Sequence, residues 1–337
     1  MLLKARLHSW ESARRSSRAG SELSVSPNDR LIWIDGDLVP WPEATVHVLS
    51  HSMQRGTLVF DFMSVHETPR GVAVFRLGDH LQRLVGSCEL VGLPLSRSVE
   101  ELAAAICLTV RSNPGCHSVK ISAYIPSIEI ELVPQDEHVA VAIAAYDALE
   151  DIIKANPGRF HARDEIRLWV EEETRNRRQD ILSPQAKAAG NYAPALLAKW
   201  RARRAGHDEI LLCAEDGSLA ETPTTNLFLV DASGVLRTPP LDHILHGVTR
   251  STLLEIARAE GIDCAEAALF PDDLLAASEV FLSATTVGVW PVVAVNGKPV
   301  GDGSPGPMSQ RLLELWKQVV AGEDVRFQHW LDLVGSE

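Results

Sequence analysis

Ser183-Pro184-Gln185-Ala186-Lys187-Ala188-Ala189-Gly190-Asn191-Tyr192 is the most informative stretch of the chain. It places one lysine among small residues, and an amphipathic segment follows it from 193 to 206. Small neighbours leave room for a flat molecule to approach the Lys187 amine, whereas a lysine on a solvated helix face usually has charged neighbours. Lysine is also a side chain that forms Schiff bases with carbonyl compounds. Taken by itself, the stretch favours a surface lysine before a helix, so the interpretation depends on the other segments.

The composition is that of an ordinary globular protein. The hydrophobic share is 45%, the charged share is 23%, and the length of 337 residues predicts two domains. The net charge of -13 argues against nucleic acid or a membrane surface as the main partner, because both attract basic patches. No apolar run approaches the roughly 18 residues that a membrane span needs. The five cysteines lie far apart without metal-ligand spacing, which predicts a cytoplasmic protein with no metal site.

The chain divides into four predicted segments. Residues 1–29 are rich in arginine and serine and predict a disordered tail or a misassigned start codon, with a transit peptide as the less favoured alternative. Residues 30–146 read as a small α+β domain, and residues 147–160, which contain Asn-Pro-Gly, read as a linker. Residues 161–337 read as a larger domain of mixed strands and helices, so the predicted fold class is α/β (α+β) with two domains.

Hydrophobic periodicity predicts the elements of both domains. The predicted strands of the first domain are residues 32–34, 38–39, 46–49, 57–62, 72–75, 119–124 and 139–145, and its helices are 80–91 and 99–111. The predicted strands of the second are 166–170, 209–214, 226–230, 235–236, 279–283, 291–295 and 298–300, and its helices are 193–206, 249–261, 272–277 and 308–320.

Four features carry possible chemistry, and each has an ordinary structural alternative. Val248 and Thr249 open a helix whose N-terminus can hold a phosphate or can simply be capped. Arg83 offers a forked cation, although most such arginines are only solvated. The Ser-Ala-Thr-Thr loop at 283–286 is weak evidence, and Glu221 after a hairpin can face a cleft or be a structural carboxylate.

In their order and spacing, these motifs resemble the class IV (fold-type IV) pyridoxal-phosphate aminotransferases, and the branched-chain amino acid aminotransferases in particular. The resemblance runs from about Ile32 to the last predicted helix. Its motifs are Ile32–Gly36, Val46–His51, Phe75-Arg76, His80–Leu84, Ala186–Tyr192, Glu221, Asn226–Phe228, Pro239-Pro240, Gly247–Arg250 and the 283–286 loop. It implies a two-domain fold-type IV enzyme with the cofactor pyridoxal 5'-phosphate.

The resemblance also implies roles for the cofactor side of the site. Lys187 would form the Schiff base and then move a proton between the substrate α-carbon and the cofactor. Glu221 would pair with the protonated pyridine nitrogen, and Tyr192 would hydrogen-bond the phenolic oxygen. The implied phosphate contacts are Arg83, Val248, Thr249 and Thr285.

The substrate side departs from the family pattern. Arg55 stands where the branched-chain enzymes carry a tyrosine, and it either captures a carboxylate or serves a structural pair. The family's Phe-Glu-Gly-Ile-Arg run appears as Phe60-Asp61-Phe62-Met63-Ser64. Lys120 replaces the arginine that receives the distal carboxylate of glutamate, which loses the bidentate fork. The predicted substrate-binding residues are therefore Phe60, Arg55, Lys120 and Thr286.

The implied activity is ping-pong amino transfer from a branched-chain or other hydrophobic L-amino acid to a 2-oxo acid such as 2-oxoglutarate. D-amino acid transaminase, amine:pyruvate transaminase and aminodeoxychorismate lyase are alternatives, because they use the same kind of cofactor site. A non-catalytic scaffold with this fold is an alternative of another class. The resemblance further implies a homodimer or a higher homo-oligomer, in which a loop of one subunit helps to close the other's site.

Overall fold

The structure is a computed structural model that describes residues 29–154 and 164–335. The predicted N-terminal tail up to residue 28 and the end of the predicted linker lie outside the described residues. The strands are β1 (Leu31–Ile34), β2 (Asp37–Pro40), β3 (Leu58–Thr68), β4 (Gly71–Phe75), β5 (Ser118–Tyr124), β6 (Ala140–Tyr146), β7 (Ile166–Glu171), β8 (Glu209–Leu212), β9 (Asn226–Val230), β10 (Leu236–Thr238), β11 (Cys264–Glu266), β12 (Glu279–Ala284), β13 (Gly288–Val295), β14 (Lys298–Pro299) and β15 (Leu331–Leu333). The α-helices are α1 (His51–Arg55), α2 (Leu77–Val91), α3 (Val99–Ser112), α4 (Ala193–Arg204), α5 (Val248–Ala259), α6 (Pro271–Ala276) and α7 (Pro307–Val320).

The first sheet has the strand order β15-β4-β3-β5-β6-β1-β2. Its pairs are antiparallel throughout, and α2 and α3 pack their apolar faces against it. The hairpin between β1 and β2 turns at Asp35 and Gly36, which both have positive φ. Asp35 also accepts a hydrogen bond from the backbone of Val141 at 2.9 Å, so its side chain ties the turn to the neighbouring strand. Asp-Gly between two short apolar segments is typical of a hairpin turn, and the predicted strands 32–34 and 38–39 are joined by this one.

The second sheet has the order β11-β10-β9-β12-β13-β7-β8, with β14 paired to β13. It is mixed, because β7 runs parallel to both β8 and β13 while β9, β12 and β13 are antiparallel neighbours. Every residue of β9 is buried, as expected of a central strand covered on both faces. On one face Phe228 stacks on Phe281 at 5.1 Å, under α5 and α7.

Most predicted elements are present, but the predicted strand at 46–49 is wrong. Val46, Val48 and Leu49 lie in an exposed loop that leads to Ser50, whose side chain caps the short helix α1. The apolar alternation of this segment suits a strand, yet alternation does not guarantee a partner strand. These exposed apolar side chains form a surface instead.

Two other segments differ from their predicted boundaries. The first part of the predicted linker, Ala148–Ile153, is a π-helical turn whose Asp151 pairs with buried Arg30 at 2.9 Å. At the other end of the chain β15 was not predicted at all. It lies within the range predicted for the second domain but pairs with β4 of the first sheet. The C-terminal segment thus crosses back to the first sheet.

The first sheet leaves one strand edge open for the lysine stretch. Strand β4 pairs with β3 only from Val65 onward, so within residues 29–154 and 164–335 no strand pairs with the earlier half of β3 on that side. Ala188 forms a single bridge with Val59 there, and the backbone nitrogen of Phe60 donates to the carbonyl of Lys187 at 3.1 Å. The stretch is therefore held as a short extension of the first sheet.

Candidate active site

The backbone of Lys187 is fixed from both sides. Its nitrogen donates to the hydroxyl of Ser87 on α2 at 3.0 Å, and its carbonyl accepts from Phe60. The flanking alanines, Ala186 and Ala188, are buried in the first sheet's core. The small residues of this stretch thus allow close packing of the backbone, while the lysine side chain extends away from it.

The Lys187 amine lies among aromatic rings and charges. Its Nζ is 3.4 Å from the hydroxyl of Tyr192 and 5.2 Å from the centre of the Phe60 ring. Burial, with a further contribution from the Arg83 charge, lowers the pKa of Lys187 to about 8. At pH 7 such an amine is uncharged in roughly one molecule in ten, against roughly three in ten thousand for an ordinary lysine. The neutral amine that a nucleophile needs is therefore more available at Lys187 than at an ordinary lysine.

Tyr192 ends a 3-10 turn, Ala189–Tyr192, that leads directly into α4. The centre of its ring lies 5.4 Å from that of Phe60, and the guanidinium carbon of Arg177 also lies 5.4 Å from the centre of the Tyr192 ring. Burial raises the pKa of Tyr192, so the hydroxyl keeps its proton at neutral pH. It can therefore donate a hydrogen bond to an oxyanion.

Glu221 is a buried carboxylate, 3% exposed, just before β9. Its Oε1 accepts from the backbone of Leu245 at 3.1 Å and from Arg177 at 3.3 Å, and its Oε2 accepts from the amide of Asn226 at 3.1 Å. Burial raises the pKa of Glu221, and the Arg177 charge and the Leu245 hydrogen bond oppose that rise. The carboxylate is thus a partner suited to a cationic group such as a protonated ring nitrogen.

Arg83 is held by a carboxylate of the first sheet. Its Nε and Nη2 donate to the two oxygens of Asp61, each at 2.8 Å, and the Nδ1 of His80 donates to the same carboxylate at 2.7 Å. Burial would raise the pKa of Asp61, but Arg83 and His80 outweigh it and hold that pKa well below its usual range. The remaining nitrogen of Arg83, Nη1, reaches the carbonyl of His246 at 2.9 Å.

That contact brings Arg83 next to the start of α5. Val248 and Thr249 are the first residues of this helix, and both are buried. A Cβ on the preceding Gly247 would stand 1.9 Å from the side-chain oxygen of Asn226, so only glycine permits this packing. Because Asn226 also binds Glu221, the helix start and the carboxylate have a fixed spacing.

A cleft of about 360 Å³ lies between α2 and α5. It is lined by residues of both helices and of the lysine stretch, among them Arg76, Arg83, Gln185 and Val248. Lys187, Tyr192 and Glu221 do not line it. The cleft therefore belongs to the Arg83 side of the site and not to the lysine side.

The remaining predicted residues lie at different distances from this centre. Lys120 places its Nζ 4.7 Å from the Phe60 ring, which also contacts Lys187, and burial lowers the pKa of Lys120. Thr285 and the exposed Thr286 form the turn that follows β12. Arg55 donates to the carbonyl of Ile130 at 3.0 Å on the surface. Among the predicted substrate residues, Phe60 contacts Lys187 directly, and Lys120 contacts Phe60.

Two charged residues at the centre, Arg177 and Asp61, were not predicted to belong to the site. Arg177 lies in the charged segment 171–180, to which the sequence assigns no role, and Asp61 entered only as part of a departure from the family run. Their partners are far away in sequence, Glu221 for Arg177 and Arg83 for Asp61. The charge of these residues is the one local signal, and charge alone does not identify a distant partner.

Residues 29–154 and 164–335 contain neither a candidate membrane-spanning helix nor a candidate metal-binding cluster. In these ranges no helix combines the length and apolar character that crossing a membrane requires. Nor do three His, Cys, Asp or Glu side chains of the same ranges come close enough to hold a metal ion.

Comparisons with known proteins agree on one family. Residues 58–295 match the family model described as Amino-transferase class IV. The branched-chain-amino-acid aminotransferase of Escherichia coli (strain K12) is 34% identical, over 90% of this chain and 97% of the relative. The crystal structure of the branched-chain aminotransferase of Thermoproteus uzoniensis with norvaline has a TM-score of 0.82 and 32% identity, over 91% of this chain and 99% of that one.

A third similar protein is the branched-chain amino acid aminotransferase of Thermobaculum terrenum in its PLP-form. Its crystal structure has a TM-score of 0.80 and 28% identity, and the match covers 92% of this chain and all of that one. The expected fold, with two sheets and flanking helices, is thereby confirmed. On the family model and these relatives, the chain belongs to the class IV aminotransferases.

Proposed function

We propose that this enzyme binds pyridoxal 5'-phosphate and moves the amino group of a branched-chain or other hydrophobic L-amino acid to a 2-oxo acid such as 2-oxoglutarate. The observation that carries the proposal is the Lys187 amine, whose pKa is lowered to about 8 and which lies 3.4 Å from Tyr192. The similar proteins named for branched-chain amino acids, one in its PLP-form and one with norvaline, support the same choice.

The residues present fit the cofactor from end to end. Arg83 and the buried start of α5, with Val248 and Thr249, would hold the phosphate, and Thr285 would add a hydroxyl. Asn226 spaces that helix start from Glu221, which would meet the ring nitrogen at the opposite end. When bound, pyridoxal phosphate supplies an aldehyde and a ring that withdraws electrons from the substrate carbon.

Four residues of the chain would supply the covalent attachment, the proton transfer and the contacts to the cofactor ring. Lys187 would provide the amine for covalent attachment and, when released, would move a proton to and from the substrate α-carbon. Glu221 would keep the pyridine nitrogen protonated, and the Tyr192 hydroxyl would donate a hydrogen bond to the phenolic oxygen. Phe60 closes one side of the lysine with its ring and excludes water from the amine.

The substrate preference follows from the surroundings of Phe60. An aliphatic side chain can pack against its ring, whereas the Lys120 ammonium 4.7 Å from the same ring can meet the distal carboxylate of 2-oxoglutarate. A lysine gives charge without a fork, so we expect weaker selection for that carboxylate than an arginine would give. Thr286, on the turn after β12, would contact the substrate from the other side.

A half-reaction screen tests the proposal. The purified holoenzyme is mixed separately with L-leucine, L-glutamate, D-alanine and an aryl amine, and loss of the visible cofactor band is followed. We expect L-leucine and L-glutamate to convert the cofactor. Conversion only by D-alanine or only by the amine would select the D-amino acid or amine transaminase alternative, and lyase activity on aminodeoxychorismate would select the lyase. A protein that cannot bind the cofactor would be the scaffold.

Replacing Arg55 by alanine should change substrate preference more than cofactor affinity. Arg55 donates to the Ile130 carbonyl, so it positions the loop after β5 and not the cofactor residues. We expect the ratio of kcat/KM for leucine and glutamate to shift by roughly tenfold, about the worth of one charge-assisted hydrogen bond. Arg70→Ala, in the exposed turn before β4, is the control. An unchanged ratio would exclude Arg55 from recognition.

We further propose that the enzyme is a homodimer joined through an apolar surface beside Arg55. Eight exposed side chains form this surface, and His51 connects its two loops through a 2.8 Å hydrogen bond to the Leu132 carbonyl. They are Val46, Val48, Leu49, Met53, Ile128, Ile130, Leu132 and Val133. An exposed apolar patch of this kind marks a protein interface.

The oligomer is tested by one substitution at the most exposed of these side chains. Ile130, 89% exposed, is replaced by aspartate, which should lower the mass seen in sedimentation from dimer to monomer. The control is Leu275→Asp, which changes an exposed leucine of α6 that is not one of the eight side chains of the apolar surface. It should leave the dimer intact. A wild-type protein that sediments as a monomer at micromolar concentration would contradict the homodimer.

A cytoplasmic location is also proposed, from the state of the cysteines. Burial raises the pKa of Cys88 to about 12 and that of Cys116 to about 11, so both remain thiols at neutral pH. Free, buried thiols of this kind are typical of a reducing compartment.

A further inference from the structure

Arg177 is a buried cation at the centre of the site, and the proposed mechanism assigns no role to it. Its side chain is 7% exposed and lies in the segment between β7 and Lys187. One nitrogen, Nη1, lies 3.3 Å from Glu221, and the guanidinium carbon lies 5.4 Å from the centre of the Tyr192 ring. One side chain thus contacts both a predicted ring-nitrogen partner and a predicted phenolic-oxygen partner.

The same guanidinium is anchored on two backbone carbonyls. Nη1 also donates to Pro184 at 3.3 Å, and Nη2 donates to Pro223 at 3.1 Å. Pro184 lies shortly before Lys187 in the chain, and Pro223 lies shortly after Glu221. Arg177 therefore bridges the two segments that carry the lysine and the carboxylate.

The backbone beside Arg177 is itself fixed. The neighbouring Asn176 donates from its nitrogen to the Cys213 carbonyl at 2.8 Å and from its amide to the His243 carbonyl at 2.6 Å. The Nε of Arg177 is buried, and it has no hydrogen-bond partner among the residues that the structure describes. A buried donor left unsatisfied is unfavourable, so the position of this guanidinium is set by its other contacts.

We propose that Arg177 is a positioning residue that fixes Glu221 and Tyr192 relative to Lys187, so that the two polar ends of the cofactor ring are met at a fixed spacing. This inference rests on the proposed function. An arginine suits the role because its planar fork reaches a carboxylate and two carbonyls while its face lies on a tyrosine ring. A lysine would keep the charge but not this geometry.

The charge of Arg177 has a second consequence that can be measured without cofactor. It opposes the burial that raises the pKa of Glu221, and it likewise opposes the burial that raises the pKa of Tyr192. Removing the charge should therefore raise both pKa values further. An arginine that supported the fold without contacting Tyr192 would not move the titration of Tyr192.

The experiment compares Arg177→Met and Arg177→Lys with Arg178→Met. Arg178 is adjacent in sequence but exposed, and it pairs with Asp180 and Glu215, so it is a matched control. The chain has three tyrosines, so carbon-13 labelling of the tyrosine ring gives three NMR signals in the cofactor-free protein. Tyr192→Phe identifies the signal of Tyr192, which is then titrated with pH.

We expect Arg177→Met to raise the pKa of Tyr192 and to weaken binding of pyridoxal phosphate by roughly tenfold or more. Arg177→Lys should keep most of the Tyr192 titration but lose cofactor affinity, because the fork is gone. Arg178→Met should match the wild type in both measurements. Circular dichroism confirms that each variant is folded. If Arg177→Met does not fold, the cofactor affinity of Arg177→Lys decides, and an affinity equal to that of the wild type would overturn the inference.

Unchanged Tyr192 titration and unchanged cofactor affinity in Arg177→Met would overturn the inference. So would equal effects of Arg177→Met and Arg178→Met, because the contact would then not be specific. A wild-type protein that does not bind pyridoxal phosphate would overturn the proposed function instead. The NMR comparison would then decide by itself whether Arg177 holds Tyr192.

Discussion

Lys187→Met should abolish amino transfer. Methionine keeps the length and apolar stem of the side chain but has no amine to attach the cofactor or to move the proton at the substrate α-carbon. Proton transfer by a positioned side chain is worth about 10²–10⁴ in rate, and the lost attachment adds to it, so we expect a fall of at least about 10³-fold. The measurement is the single-turnover rate with L-leucine, with Lys298→Ala as a control on an exposed lysine.

Borohydride treatment of the holoenzyme sharpens that result. In the wild type it should fix the cofactor on the peptide that contains Lys187, and mass spectrometry of the digested protein locates it. In Lys187→Met no fixed cofactor should appear on any peptide. If the variant still carries a borohydride-fixed cofactor on the chain, a different lysine is the attachment site and the assignment of Lys187 is wrong.

The same substitution should stabilise the cofactor-free protein at neutral pH. The fold lowers the pKa of Lys187 from 10.5 to about 8, so below pH 8 the folded state has to bury a charge that the unfolded chain exposes. Between pH 8 and 10.5 the unfolded state binds more protons, and stability therefore rises with pH in that window. The cost below pH 8 is at most roughly 3 kcal/mol.

Urea unfolding of the two cofactor-free proteins at pH 7 and pH 10 measures this cost. Lys187→Met should be the more stable at pH 7, and its advantage should shrink at pH 10. An advantage that is equal at both pH values would mean that methionine only packs better. The lysine of this site would then carry its charge without penalty.

The sequence predicted what depends on local pattern. The helix after Lys187, the strand β9 and the Asp-Gly hairpin of β1 and β2 follow from periodicity and turn chemistry. The 46–49 strand failed because apolar alternation cannot tell whether a partner strand exists. Strand β15 was missed because three residues carry too little pattern, although they pair with β4 across most of the chain.

The residues of the candidate site likewise fall into those that the sequence predicted and those that it did not. The lysine, the carboxylate and the helix start were visible because the family motifs place them at recognisable positions. The pairs Arg177–Glu221 and Asp61–Arg83 were not, because each joins segments that only the fold brings together. The sequence left two roles open for Arg55, a contact with a substrate carboxylate and a structural pair. In the structure Arg55 donates a hydrogen bond to the Ile130 carbonyl. The roles of all these residues remain predictions for mutagenesis.

Glu221→Gln should lower kcat by roughly 10²–10³-fold while the enzyme still binds cofactor. The amide has the same shape as the carboxylate but cannot keep the pyridine nitrogen protonated, so the ring withdraws fewer electrons from the substrate carbon. It also leaves Arg177 buried without its counter-ion. Losing one partner of a buried ion pair costs about 3–5 kcal/mol, so the variant should unfold at lower denaturant concentration.

A second Arg–Glu pair separates the two effects. Arg250 is buried and pairs with Glu266 at 2.8 Å, on a helix and strand where neither residue has a predicted part in the reaction. Glu266→Gln should therefore lower stability with little change in kcat, whereas Glu221→Gln should lower both. The double variant Arg177→Met, Glu221→Gln should regain part of the stability, because no unpaired charge is left, but none of the rate. If Glu221→Gln keeps the wild-type kcat once it is measured well below its unfolding transition, Glu221 does not control the ring nitrogen, and the Arg177 pair serves only the fold.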